Sequence, residues 1–128
     1  SGAQDRGATV LVRIGLAGRE HALASDLSYG QRRALEIGIA LAAEPRMLFL
    51  DEPTSGLGTD ATAILADLIQ EIRKTVSIVI IEHDMGFLFQ LADKIAVIHW
   101  GQVIAEGTPD TLRENEWVRA SNLGALVG

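Results

Sequence analysis

The sequence contains no cysteine, which excludes a disulfide framework and any thiolate metal site and suits a cytoplasmic protein. It has no apolar run of transmembrane length and no signal peptide, so work at a membrane would have to pass through a partner. Basic residues are outnumbered: 11 Lys and Arg stand against 17 Asp and Glu, a net charge of -6. That balance argues against a surface that neutralises a phosphate backbone, and no nucleic acid is expected as a partner. Lysine occurs only at Lys74 and Lys94, and neither stands in a Gly-Lys-Ser or Gly-Lys-Thr turn. A phosphate-binding P-loop is therefore absent from these residues.

What is present is enough for a core. The chain has 128 residues, the length of one ordinary domain, and 48% of them are hydrophobic. Residues Ser1 to Gly7 are small and polar and are set apart from the fold. From Thr9 to Leu16 the positions Val10, Leu11, Ile14 and Leu16 predict a short helix closed near Gly15 or Gly18. His21 reads as a solvated loop residue, because no second ligand stands near it.

The stretch from Leu27 to Pro53 organises the rest. Ser28 is a good N-cap for a helix running to about Ala43, and Gln31 stands three residues on, as in a capping box. Beyond Arg32, Arg33 and Glu36 this helix is almost entirely Ala, Leu and Ile, which predicts that most of its circumference is buried. From the residues alone, a plain helix cap is the first reading of Ser28. A phosphate site is the second, because exposed N–H groups and the positive end of the helix dipole attract anions, and Gly30 permits close approach. Pro45 breaks the helix. Met47 to Leu50 then reads as a short buried strand of a parallel sheet, ending in Asp51, Glu52 and Pro53. Ligands gather beyond the carboxyl ends of such strands. Adjacent strand residues point to opposite sides, so the two carboxylates are expected to divide the work, one toward a metal ion and one toward a reacting water.

Further on, Ala61, Ile64, Leu65, Leu68, Ile69 and Ile72 form an apolar helical stripe, with Thr59 or Asp60 as its cap. Val76 to Glu82 reads as a second buried parallel strand, with His83 just past its end and Asp84 capping a short helix to about Leu91. Lys94 to Trp100 and Gln102 to Glu106 predict an antiparallel hairpin around Gly101 at the sheet edge, in which His99 is a packing or surface residue. Thr108 with Pro109 opens another helix, Asn115 can cap one more, and Trp117 is expected to anchor the tail.

In this order and spacing, Leu27-Ser28-Tyr29-Gly30-Gln31 and Leu48-Phe49-Leu50-Asp51-Glu52-Pro53 resemble the signature and Walker B motifs of ATP-binding-cassette (ABC) transporter ATPases. The Tyr-Gly variant of the signature, Ile81-Glu82-His83-Asp84-Met85 and Glu106-Gly107-Thr108-Pro109 are most similar to the ATPases of branched-chain amino acid importers. The resemblance covers nearly the whole chain from about Ser25. It implies an α/β fold of the layered P-loop NTPase kind, seen in part: signature helix, Walker B strand, switch strand, C-terminal antiparallel hairpin and short helices. Residues 1–27 would be the end of a helical subdomain and linker, and 28–128 the C-terminal part of the ATPase domain.

The resemblance also implies roles. Asp51 would hold Mg²⁺ through water, Glu52 and His83 would be the catalytic residues, and Ser28, Tyr29, Gly30 and Gln31 would meet the ATP of a facing subunit. It implies ATP and Mg as cofactors, and a second ATPase subunit and transmembrane permease subunits as partners. The location would be cytoplasmic, peripheral on the inner face of the cell membrane. Gly58 departs from the family, which usually carries Asp or Asn at this point of the loop after Walker B. With no P-loop and no room before Leu27 for a glutamine loop or an adenine-stacking aromatic, the chain resembles the second half of a cassette and is expected to be inactive alone. Two rival readings are a non-catalytic fragment that only associates, and a nucleic-acid-handling ATPase of the same family; the acidic balance counts against the latter.

Overall fold

The computed structural model describes residues 2–120. They gather into two compact units that divide between Ile81 and Glu82, and the sequence explains the elements of each.

In the first unit, helix α1 spans Gly2–Arg13. The predicted start at Thr9 is corrected: Gly2 to Gly7 are helical, with Asp5 in the first turn. An acid there is favoured by the helix dipole. No residue of α1 is buried, yet Ile14 just beyond it is, and it lies close against α2 (Tyr29–Ala42). A Cβ on Gly38 would stand 2.6 Å from Ile14 Cδ1, so the two segments approach this closely because Gly38 has no side chain. Helix α2 buries only Ile37, Gly38 and Leu41, while Ile39 is 67% exposed. Composition alone overstated its burial. An Ala- and Ile-rich helix takes its dry face from its neighbours, and here these supply one stripe rather than a full circumference.

Strand β1 (Met47–Asp51) pairs in parallel with β2 (Ser77–Ile81), from Met47 opposite Ser77 to Asp51 opposite Ile81. The chain crosses between them through α3 (Thr59–Ile72), whose buried face is Leu65, Ala66, Ile69 and Ile72. Such a crossover is what parallel pairing requires. The expectation of two fully buried strands is corrected: Leu48 is buried, but Met47, Phe49, Val79 and Ile81 are exposed. One face of the pair is covered, with Leu48 buried and Leu50, Ile78 and Ile80 half-buried, and the other is open among the described residues. The α3 cap also differs from expectation. Gly58 takes the N-cap position with no side-chain hydrogen bond, a place that glycine fills nearly as well as a polar cap. Ile64, counted in the stripe, is 69% exposed.

In the second unit, α4 (Met85–Leu91) begins at Asp84, whose carboxylate accepts from the Phe87 N–H at 3.0 Å. Strands β3 (Ile95–His99) and β4 (Gln102–Gly107) form the predicted hairpin, with a bulge at Val97/Ile98. Among the described residues the hairpin is a sheet of its own, not the edge of the β1–β2 sheet. Trp100 and Gly101 both have positive φ (51° and 73°), as a tight two-residue hairpin demands. Helix α5 (Pro109–Arg113) has Thr108 as its cap and Pro109 in its first turn. Asn115 caps α6 (Glu116–Ala120) through the Val118 N–H at 3.2 Å. The expected anchoring by Trp117 falls outside the described side chains. No described helix is long and apolar enough to cross a membrane.

Candidate functional site

The predicted capping box at the start of α2 is formed. Ser28 Oγ accepts from the Gln31 N–H at 3.2 Å, and Gln31 Oε1 accepts from the Ser28 N–H at 2.9 Å. These bonds satisfy the N–H groups of Ser28 and Gln31, while those of Tyr29 and Gly30 make no hydrogen bond among the described residues. Two adjacent donors at the positive end of a 14-residue helix suit a phosphate oxygen. Gly30 has a second reason to be glycine: a Cβ there would stand 3.3 Å from Ala61 Cβ of α3. Its missing side chain serves helix packing as well as any ligand.

At the carboxyl end of β1, Asp51 closes the strand and is exposed. Glu52 lies beyond the strand in the left-handed conformation, φ 47°. The expected strand alternation is corrected: β1 ends at Asp51 and the backbone turns at Glu52, so the two carboxylates do not both sit on a pleat. Left-handed backbone costs a non-glycine residue about 1–2 kcal/mol and persists only where surrounding structure enforces it. The Glu52 N–H donates to the Ile81 carbonyl at 2.7 Å, and the Ser55 N–H to the Glu52 carbonyl at 3.0 Å. Pro53 and Thr54 are buried beneath the turn.

Two residues that sequence reasoning passed over contact groups named above, one in each unit. Arg33 reaches from α2 to the turn, donating from Nη2 to the Ser55 carbonyl at 3.1 Å and from Nη1 to Glu36 at 3.3 Å. Its guanidinium also lies 5.8 Å from the centre of the Tyr29 ring. The second is Glu82, whose side chain is fully buried beside exposed His83. Glu82 Oε1 accepts from the His83 N–H at 3.0 Å and lies 3.3 Å from His83 Nδ1. A carboxylate beside Nδ1 helps to orient the imidazole ring. The sequence held a signal for this, an acid ending a β-branched strand directly before a histidine. His21 is exposed in its loop, as expected. His99 is exposed too, its ring edge-on to Trp100 at 5.9 Å.

No cluster of three potential metal ligands occurs among the described residues. A single exposed carboxylate at Asp51 still fits Mg²⁺, which keeps several waters and is commonly bound through one or two carboxylates plus substrate phosphates. The unpaired donors of Tyr29 and Gly30 fit a nucleotide phosphate. Parallel strands joined through a helix, a capped helix with free donors and carboxylates at a strand's end together describe an α/β nucleotide-binding fold.

Comparison with known proteins narrows this class. Residues 2–55 match the family model described as ABC transporter. The chain is 42% identical over 126 residues to LivG of Escherichia coli strain K12, a high-affinity branched-chain amino acid transport ATP-binding protein, covering 97% of this chain and 49% of LivG. Its backbone superposes on the ADP conformation of MJ1267, an ATP-binding cassette of an ABC transporter, with a TM-score of 0.85, 26% identity and coverage of 94% of this chain and 49% of that one. For cbiO1 of Clostridium perfringens, part of the ABC transporter complex cbiONQ, the TM-score is 0.82 at 28% identity, with 96% and 52% covered. The chain is similar to ABC transporter ATP-binding proteins and shares the α/β fold of about half of such a cassette. It spans about half the length of the curated relatives it matches.

Proposed function

We propose that this chain is part of the ATP-binding subunit of an ABC importer that couples ATP hydrolysis to uptake of a branched-chain amino acid. The observation that carries the reading is the 42% identity to LivG over 126 residues, which spans the capped helix, the Asp51–Glu52 strand end and His83. In this reading Glu52 orients and deprotonates the attacking water, and His83, braced by Glu82, steadies the terminal phosphate. Asp51 would hold Mg²⁺ through water, an ion that neutralises charge building on the phosphates. The cap formed by Ser28, Tyr29, Gly30 and Gln31 receives the γ-phosphate of ATP bound by a facing subunit. Catalysis is then positioning and charge stabilisation, as phosphoryl transfer requires. The partners are a second ATPase subunit, joined head to tail, and transmembrane permease subunits that hold the protein at the inner face of the membrane.

The test is Glu52→Gln in the full-length protein. ATP binding should persist while hydrolysis slows by about 10²–10⁴-fold, the usual loss on removing a general base. A variant that turns over ATP at the parent rate would make Glu52 structural. The 128-residue chain alone, lacking a P-loop, should show no low-micromolar affinity for Mg-ATP by calorimetry.

A further inference from the structure

The Glu52 turn is held from two sides. On one, the β2 strand supplies the Ile81 carbonyl to the Glu52 N–H at 2.7 Å. On the other, α2 supplies Arg33, which crosses 22 positions of sequence to the Ser55 carbonyl. The guanidinium has little freedom. Its Nη1 is engaged by Glu36, its centre lies 5.8 Å from that of the Tyr29 ring, and its Nε is buried with no hydrogen-bond partner among the described residues. Tyr29 meets the same turn from the α2 terminus: a Cβ on Gly56, whose φ is +77°, would stand 3.1 Å from the Tyr29 ring. Ring and guanidinium thus close on the two consecutive residues that follow the buried Pro53 and Thr54.

We propose that Arg33, supported by Tyr29, is a positioning residue for Glu52: by pinning the Ser55–Gly56 turn to α2, it keeps Glu52 in its left-handed conformation with its carboxylate at one station. This rests on the reading of Glu52 as the group that addresses water. The fork of an arginine is what the task needs, because its two Nη atoms reach Ser55 and Glu36 at once, which the single ammonium of a lysine is poorly shaped to do. The helix that carries the Ser28 cap also carries the groups that hold the hydrolytic carboxylate, so both ends of the proposed chemistry share one rigid element.

The experiment compares Arg33→Ala, Arg33→Lys and Arg32→Ala in the full-length protein, by steady-state ATP hydrolysis and by amide hydrogen exchange. Arg32 is exposed and its guanidinium also lies near the Tyr29 ring, at 5.9 Å, so Arg32→Ala controls for lost charge. Both Arg33 variants should lower kcat between about 10- and 100-fold, the scale of a small misplacement, with KM for ATP within about twofold. Exchange should speed up at Ser55 and Leu57 while the α3 core amides of Ile69 and Ile72 keep parental protection, a pattern of local rather than global opening. Arg32→Ala should match the parent in both measurements. Unchanged exchange at Ser55 and Leu57 in Arg33→Ala overturns the proposal, and so does faster exchange with parental kcat. A parent protein that does not hydrolyse ATP overturns the functional reading and the proposal together, whereas an active parent with an equally active Arg33→Ala overturns the proposal alone.

Discussion

Among the described residues Glu44, Glu52 and Trp100 lie in left-handed backbone, and the turns at the last two are sustained differently. Trp100 (φ 51°) sits in the β3–β4 hairpin beside Gly101, where the twist of the flanking strands selects positive φ at both positions. Its side chain is 90% exposed. The turn is a local solution written in adjacent residues. Glu52 (φ 47°) has no hairpin around it. Its conformation depends on a carbonyl from a neighbouring parallel strand and on an arginine from a helix. Strain that the hairpin absorbs locally is, at Glu52, maintained by tertiary structure, as at sites where a side chain must be aimed.

The largest expected contrast comes from relieving each strain. Trp100→Gly should stabilise the fold by about 0.5–1 kcal/mol, since the strain released exceeds the entropy glycine loses on folding, and Glu52→Gly releases the same kind of backbone strain. Repeating both in an Arg33→Ala background separates them. The Glu52 effect should change by at least about 0.5 kcal/mol, the mark of coupled neighbours, while the Trp100 effect should add independently. Equal additivity at both positions in urea melts would erase the distinction drawn here.

The smallest effect is expected at the Lys94–Glu106 bridge of the hairpin, 2.8 Å long and exposed. The hydrogen bond and charge of Lys94 hold the Glu106 carboxyl below its ordinary value of 4.5, and the same bond holds the Lys94 ammonium above 10.5. Glu106 therefore contributes stability above the ordinary carboxylate value and loses it as pH falls through its lowered folded value. Lys94 contributes below its ordinary value and loses this as pH rises through its raised folded value. The contribution of this pair should be constant between those limits, and Lys94→Gln should remove the part of the decline at each end that the pair supplies. Because the pair is solvent-exposed, high salt should hide the difference at neutral pH.

The same division explains what could be read from the chain. Caps at Ser28, Asp84 and Thr108, the helix over Tyr29–Ala42 and the hairpin around Gly101 are local chemistry, and the structure has them. The parallel pairing of the two apolar runs was also legible, because two short β-branched or aliphatic segments separated by a helical stripe leave few alternatives. What escaped depends on distant neighbours. The single buried stripe of α2, the open face at Phe49 and Val79, the turn at Glu52 and the reach of Arg33 to Ser55 are all set by residues far along the sequence. The helical start at Gly2 was missed for another reason: small polar residues carry no apolar periodicity.

The central claim is that the capped end of α2 meets phosphate and does more than close a helix. Substituting Ser28 in the full-length protein tests it most directly, with a melting curve beside an ATP hydrolysis assay for each variant. Ser28→Ala should cost about 0.5–2 kcal/mol of stability, and Ser28→Asp, an equally good cap, should restore it. The account predicts that Ser28→Asp melts like the parent yet neither dimerises on ATP nor hydrolyses it, because its charge opposes the incoming phosphate. A stable and fully active Ser28→Asp protein would contradict the account and leave Ser28 as a helix cap.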